Sequence, residues 1–158
     1  MRAWAALGAG GVLYAAAVLW SVPRLPRNGV PLHFDADGTA DRFGSRAEAL
    51  TAQVLIGVVM LGLGVGAVCL VRWGPLTLVN VPHRSYWTTA ERRPCLRRML
   101  ALDVGVLMGA TLAAMALLPV ATVAALGSDP VGLPPSVLWS VVGGYVLAVL
   151  LWCGWSRP

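Results

Sequence analysis

Four long apolar runs, at about residues 3–22, 50–71, 99–126 and 136–155, set the terms on which this chain folds. An α-helix rises about 1.5 Å per residue, so each run reaches across the roughly 30 Å hydrocarbon core of a bilayer. In lipid a backbone has to satisfy its own amides and carbonyls, and a helix does so within one segment. Only 12% of the 158 residues are charged and the mean hydropathy is +0.73, whereas a soluble domain carries about 25% charge. Little chain remains for a water-soluble catalytic domain. The expected fold class is all-α, a four-helix transmembrane bundle forming a single integral-membrane domain over residues 1–158. Its helices are expected at about 3–22, 46–72, 95–126 and 134–155, with a structured outer loop between the first two.

The boundaries have local causes. A cleaved signal peptide competes for the first run, because Met1 and Arg2 make a short basic start. The run is longer than a signal core, however, and ends in Leu19-Trp20 rather than in small residues. Ser45 and Glu48 have the spacing of a capping box, which starts the second helix. Pro119 inside the third run is expected to kink it rather than end it. Pro134-Pro135 suits the first turn of the fourth, where amides lack intrahelical partners.

Four spans put both termini on one side, and arginines near the helix ends indicate which side. Arg72, Arg84, Arg92, Arg93, Arg97 and Arg98 lie between the second and third spans, and Arg2 and Arg157 share their face. The opposite face has Arg24, Arg27, Arg42 and Arg46, balanced by Asp35, Asp37, Asp41 and Glu48. Both termini and the middle loop are therefore expected on the cytoplasmic side of the plasma membrane. Trp4, Trp73, Trp152 and Trp155 then fall near the inner interface and Trp20 and Trp139 near the outer one. Cys69, Cys95 and Cys153 fall at or near the reducing face, where no disulfide is expected. All basic residues are arginine, without a basic tail, so membrane orientation accounts for the charge and nucleic acid is not an expected partner.

The outer loop is too patterned for a passive linker. Its prolines favour extended backbone, Gly38 can take the positive φ of a turn after Asp37, and Phe34 and Phe43 can pack on each other or on the membrane surface. Leu25-Pro26, then Pro31-x-His33-Phe34, then Gly38-x-x-Asp41-x-Phe43-x-Ser45-Arg46 resembles the signature of domain-of-unknown-function family 1648. That domain is also the N-terminal part of SdpI-type toxin-immunity membrane proteins. A second block, residues 79–93 with Tyr86 and Trp87, is similar to a proline-asparagine-x-x-tyrosine-tryptophan segment of bacterial members, with His83 where asparagine is more familiar. The resemblance implies that Pro31, His33, Phe34, Gly38, Asp41 and Phe43 form a ligand- or partner-binding loop.

Taken by themselves, His33, Asp35, Asp37 and Asp41 are one imidazole and three carboxylates in a short stretch, candidates for a calcium, magnesium, zinc or manganese site. The spacing falls short of a calcium-binding EF-hand loop, and a turn capped by aspartates and salt-bridged to Arg42 and Arg46 is the favoured reading. For His33 a structural hydrogen bond is favoured over a ligand contact. No cofactor is expected, and the outer half has no partnered serine or cysteine nucleophile: Ser45 is better explained as a cap, and Ser21 and Ser136 have no nearby base in sequence.

Asp103 is the ionisable residue inside an apolar span, and so a default functional candidate. It lies about 7 Å along the axis from Arg98, shallow enough for a structural ion pair with Arg72 or Arg98, which is the favoured reading over an ion pathway. Gln53 sits near the opposite end of its span, and Thr111 and Tyr145 complete no pathway. Gly62-x-x-x-Gly66, with Gly57, Gly64, Gly143 and Gly144, is expected to pack within the bundle rather than to form a dimer face. In the middle loop Thr88-x-x-Glu91 is one possible helix start and Pro94 another. Arg84, Tyr86, Trp87, Arg92, Arg93, Arg97 and Arg98 are candidates to hold anionic lipid headgroups or a cytoplasmic regulator.

The resulting expectation is a non-enzymatic sensor or immunity-type membrane protein whose outer loop meets an extracellular peptide or toxin. A small transporter or transporter subunit using Asp103 and Gln53 is the alternative, and a metal-dependent enzyme built on His33, Asp35, Asp37 and Asp41 is weaker.

Overall fold

In the computed structural model, which describes residues 1–78, 80–81 and 83–155, six helices and one hairpin follow each other along the chain. Helix α1 (Arg2–Ser21) ends in a 3-10 turn, Val22–Arg24. Strands β1 (Asn28–Phe34) and β2 (Ala40–Ser45) pair antiparallel, and α2 (Arg46–Trp73) follows β2 directly. After a 3-10 turn at Leu76–Leu78 come α3 (Arg84–Trp87), α4 (Arg93–Met115), α5 (Leu117–Ala125) and α6 (Pro135–Trp155). Four helical stretches are long and apolar enough to cross a membrane: Arg2–Arg24, Arg46–Trp73, Arg93–Ala125 and Pro135–Trp152. The side chains of Arg84, Cys153 and Trp155, and all of Arg157, lie outside the described residues.

The tightest contact is α1 on α4. A Cβ on Gly10 would overlap the Gly109 backbone, one on Gly109 would overlap the Ala6 carbonyl, and one on Gly105 would lie 2.6 Å from the Ala3 oxygen. Gly105 and Gly109 stand four residues apart on one helix face, which lets the backbones touch. By contrast, Gly62, Gly66, Gly143 and Gly144 have no described neighbour within 4 Å of an added Cβ, which corrects the expectation that they pack in the bundle. On α2 it is Gly64, against Leu7 and Met108, and Gly57, beneath the Tyr14 ring, that admit neighbours. Tyr14, a polar side chain at mid-span that the sequence reading passed over, donates to the Gln53 carbonyl oxygen at 2.6 Å and ties α1 to α2.

Around Ala116 the third span is interrupted but not ended. The residue keeps helical dihedrals (φ −61°, ψ −18°), and its amide donates to Leu112 and Ala113 oxygens. Pro119, three residues on, has no N–H to give the carbonyl four residues back, so the ladder is broken without the helix stopping. Helix α6 packs lightly, chiefly on α4, where Thr111 Oγ1 and Tyr145 Oη stand 2.6 Å apart. Stacking of the Arg24 guanidinium 4.1 Å from the Trp20 ring, with a 2.6 Å bond to the Trp20 carbonyl oxygen, finishes α1 at the hairpin end.

The hairpin is seated firmly. Leu25, Val30 and Ala49 are buried together, with Leu32, Leu50, Val123 and Leu126 packed around them. Ser45 Oγ accepts from the Glu48 amide at 3.2 Å while Glu48 Oε2 accepts from the Ser45 amide at 3.4 Å, the capping box that the spacing predicts. At the hairpin tip Asp35 Oδ1 accepts from the amides of Asp37 (3.0 Å) and Thr39 (2.9 Å), and Gly38 turns the chain with φ +81°. Thr39 forms a bridge with Gly132, Leu133 donates to the Gly38 oxygen at 2.8 Å and Ala40 donates to the Val131 oxygen at 2.9 Å. The two loops at this end thus form one unit, a pairing that neither loop announces in its own sequence.

Candidate functional site

Two clefts lie at opposite ends of the bundle. The cleft at the hairpin end has a volume of about 350 Å³ and runs between the hairpin, α2 and α5. Pro31 and Phe34 line it from β1, Arg42 from β2, Glu48 and Gln53 from α2, and Thr122 from α5. Its floor is apolar and its polar groups are few. Gln53 is 8% exposed, and its Oε1 has no hydrogen-bond partner among the described residues. Thr122 Oγ1 is turned back to the Leu118 carbonyl at 2.9 Å. At the rim Arg42 Nη2 and Glu48 Oε1 stand 3.4 Å apart, both side chains more than half exposed.

The sequence-derived site residues divide at this cleft. Pro31 and Phe34 line it, while Gly38 is buried against the Leu133 carbonyl and holds the turn in place. His33 and Asp41 point outward as a pair, Nδ1 to Oδ1 2.7 Å, with side chains 65% and 48% exposed. Phe43 is also exposed and does not line the cleft. Irregular register on both sides of His33 turns its side chain away from the face carrying Pro31 and Phe34. The expected salt bridges from the aspartates to Arg42 and Arg46 are replaced: Asp41 goes to His33, Arg42 goes to Glu48, and Asp35 caps its own turn. With Asp35 bound to backbone amides and Asp41 to His33, the described residues contain no group of three that would hold a metal. Gln53, Glu48 and Thr122 are cleft residues that the motif left out, because they come from helices that only the hairpin's docking brings together.

At the other end, the segment between α2 and α4 carries the arginines. Arg92 stacks 3.8 Å from the Tyr86 ring centroid, and Tyr86 meets Trp87 edge-on at 5.3 Å. Arg93 Nη2 donates to the Thr88 oxygen at 3.0 Å. Arg97 donates to the Val71 and Gly74 oxygens, both at 2.8 Å, and so closes the C-terminus of α2, a structural duty rather than a free partner contact. Helix α3 ends at Trp87, so Thr88 and Glu91 start no helix; α4 begins at Arg93 with Pro94 in its first turn, and this puts Cys95 on the helix rather than in the loop. His83 sits at φ +52°, a left-handed conformation that histidine, like asparagine and aspartate, adopts more readily than most residues.

Asp103 does not pair with Arg72 or Arg98. The ion pairs among the described residues are at the hairpin end, and Asp103 instead faces Trp152 of α6, whose Nε1 is buried without a well-aligned partner. Five residues rotate a helix about 140° beyond a full turn, so Asp103 and Arg98 leave α4 on different faces. Asp103 and Gln53 belong to opposite ends of the bundle and share no cleft.

Membrane-length helices with a hairpin docked across one end define a multi-pass membrane protein. Residues 10–58 match the family described as domain of unknown function DUF1648, which covers most of α1, the whole hairpin and the first part of α2. The tyrosine-tryptophan segment lies beyond that match. No curated protein and no solved structure matches the chain.

Proposed function

We propose that this protein is a bacterial plasma-membrane sensor or toxin-immunity-type protein of the SdpI kind, binding an extracellular peptide at the hairpin end. The reading rests on one observation, the cleft of about 350 Å³ beneath the hairpin, with an apolar floor, an unsatisfied Gln53 oxygen and a charged rim. A buried acceptor without a partner is unfavourable by about 1–3 kcal/mol, and a peptide N–H arriving there would relieve it. The Arg42–Glu48 pair is solvated and worth little by itself, so it is available to exchange partners with a charged ligand.

The hairpin then faces outward, with both termini and residues 74–92 in the cytoplasm, where Tyr86, Trp87 and Arg92 offer a surface to a regulator. The arginine distribution supports that orientation. The test is a His33→Cys variant in a background lacking Cys69, Cys95 and Cys153, treated on intact cells with a membrane-impermeant thiol reagent. Labelling of intact cells is expected, with a matched Tyr86→Cys variant labelled only after lysis. The reverse pattern would remove the extracellular ligand from consideration.

A further inference from the structure

We propose that the cleft at the arginine end is a binding site for a phosphate group, that of an anionic phospholipid headgroup in the adjacent leaflet. This inference does not depend on what the hairpin binds. The cleft has a volume of about 540 Å³, and Arg2 from α1, Arg72 from α2 and Arg98 from α4 all line it, over Ala101 and Leu102. Three helices that meet at the Ala3, Val68, Val71 and Ala101 cluster therefore bring three guanidinium groups to one opening.

What separates these arginines from their neighbours is the lack of an internal partner. Arg92 is stacked on Tyr86, Arg93 is bound to Thr88, and Arg97 is bound to two carbonyls. Arg2, Arg72 and Arg98 have no carboxylate partner among the described residues, whose ion pairs lie at the hairpin end. Arg72 makes a loose contact with the Trp73 ring, 5.7 Å from its centroid, which leaves its N–H donors free. Like charges gathered at one opening repel, and a polar lining over an apolar floor offers a counter-ion with a tail a place to lie. Guanidinium forks match the oxygens of phosphate in pairs, which an ammonium does not. The site sits at the end of membrane-length helices, and basic pockets between helices at the cytoplasmic side of a bilayer suit anionic headgroups.

The experiment titrates the purified full chain in a neutral detergent with short-chain phosphatidylglycerol, short-chain phosphatidylcholine and inorganic phosphate, reading dissociation constants by calorimetry. Phosphatidylglycerol is expected to bind, and Arg2→Gln, Arg72→Gln and Arg98→Gln are each expected to weaken it about five-fold, and all three together by about a hundredfold. Arg98→Lys, which keeps the charge but loses the fork, should fall between wild type and Arg98→Gln. Inorganic phosphate binding as tightly as the lipid, with the same dependence on the arginines, would keep the phosphate site but overturn its assignment to a lipid. Equal binding of both lipids, or binding that the triple variant retains, would overturn the site itself. Arg2 and Arg98 are exposed, so their substitution leaves the packing intact, and Arg27→Gln at the hairpin end, also exposed, serves as the matched loss of one charge.

Discussion

At the hairpin end charges of both signs meet inside the chain: His33 takes Asp41, Arg42 takes Glu48, and Asp35 takes the amides of its own turn, while Arg46 Nε is buried without a partner among the described residues. At the opposite end the arginines outnumber the carboxylates and are met by carbonyl oxygens and aromatic rings, or, for Arg2, Arg72 and Arg98, by an open cleft. One end pairs several of its charges with one another and leaves a neutral acceptor, Gln53 Oε1, unsatisfied in an apolar hollow. The other is electrostatically open. The difference indicates what each end can recruit: the first a ligand that offers an apolar surface and a hydrogen-bond donor, the second an anion.

Gly38→Val is the substitution expected to break the hairpin end most completely. It places a β-branched residue at φ +81° and drives its Cβ into the Leu133 carbonyl. The backbone conformation alone is unfavourable by about 1–3 kcal/mol. A lower thermal midpoint in detergent and new protease cleavage near residues 35–41 are expected, with lipid binding at the arginine end unchanged. An unaltered midpoint would mean that the two loops are not joined through this turn. Arg97→Ala strikes the other end by removing both bonds to the α2 C-terminus, and a loss of about 2 kcal/mol is expected, read as faster amide exchange in the last turn of α2. Ser45→Ala removes half of the capping box and should lower stability by about 1 kcal/mol, with Ser45→Asp restoring most of it in the same denaturation assay. Smallest is Asp41→Asn, where the exposed pair with His33 is expected to be worth under about 0.5 kcal/mol. A larger loss there would mean that the pair holds the hairpin and the contrast between the two ends is weaker than its geometry indicates.

Much of this architecture is legible in the sequence because lipid leaves the backbone few choices. The apolar runs mark α1, α2, the α4–α5 pair and α6 to within a few residues, and Ser45 with Glu48 fixes the start of α2 by local bonds alone. Gly38 is recognisable as a turn residue for the same reason. What depends on helix rotation is not legible. Gly62 and Gly66 have the same spacing as Gly105 and Gly109, yet only the second pair faces another helix. Asp103 was expected beside an arginine because axial distance is read easily from sequence and azimuth is not; the azimuth puts it against α6. Pairing of Thr39 with Gly132 joins residues far apart in the chain, through backbone groups that any side chain could accompany. The candidate site was therefore legible as a loop, and only in part as a cleft: Pro31 and Phe34 line it, while His33 and Asp41 decorate its outside.

The direct passage from β2 into α2 at Ser45 has a mechanical consequence. With no loop between strand and helix, the hairpin is the handle of a rod about 42 Å long, whose far end carries Arg72. A rod without a joint turns at its tip when it is turned at its handle, so the orientation of Arg72 is tied to that of the hairpin through α2 itself.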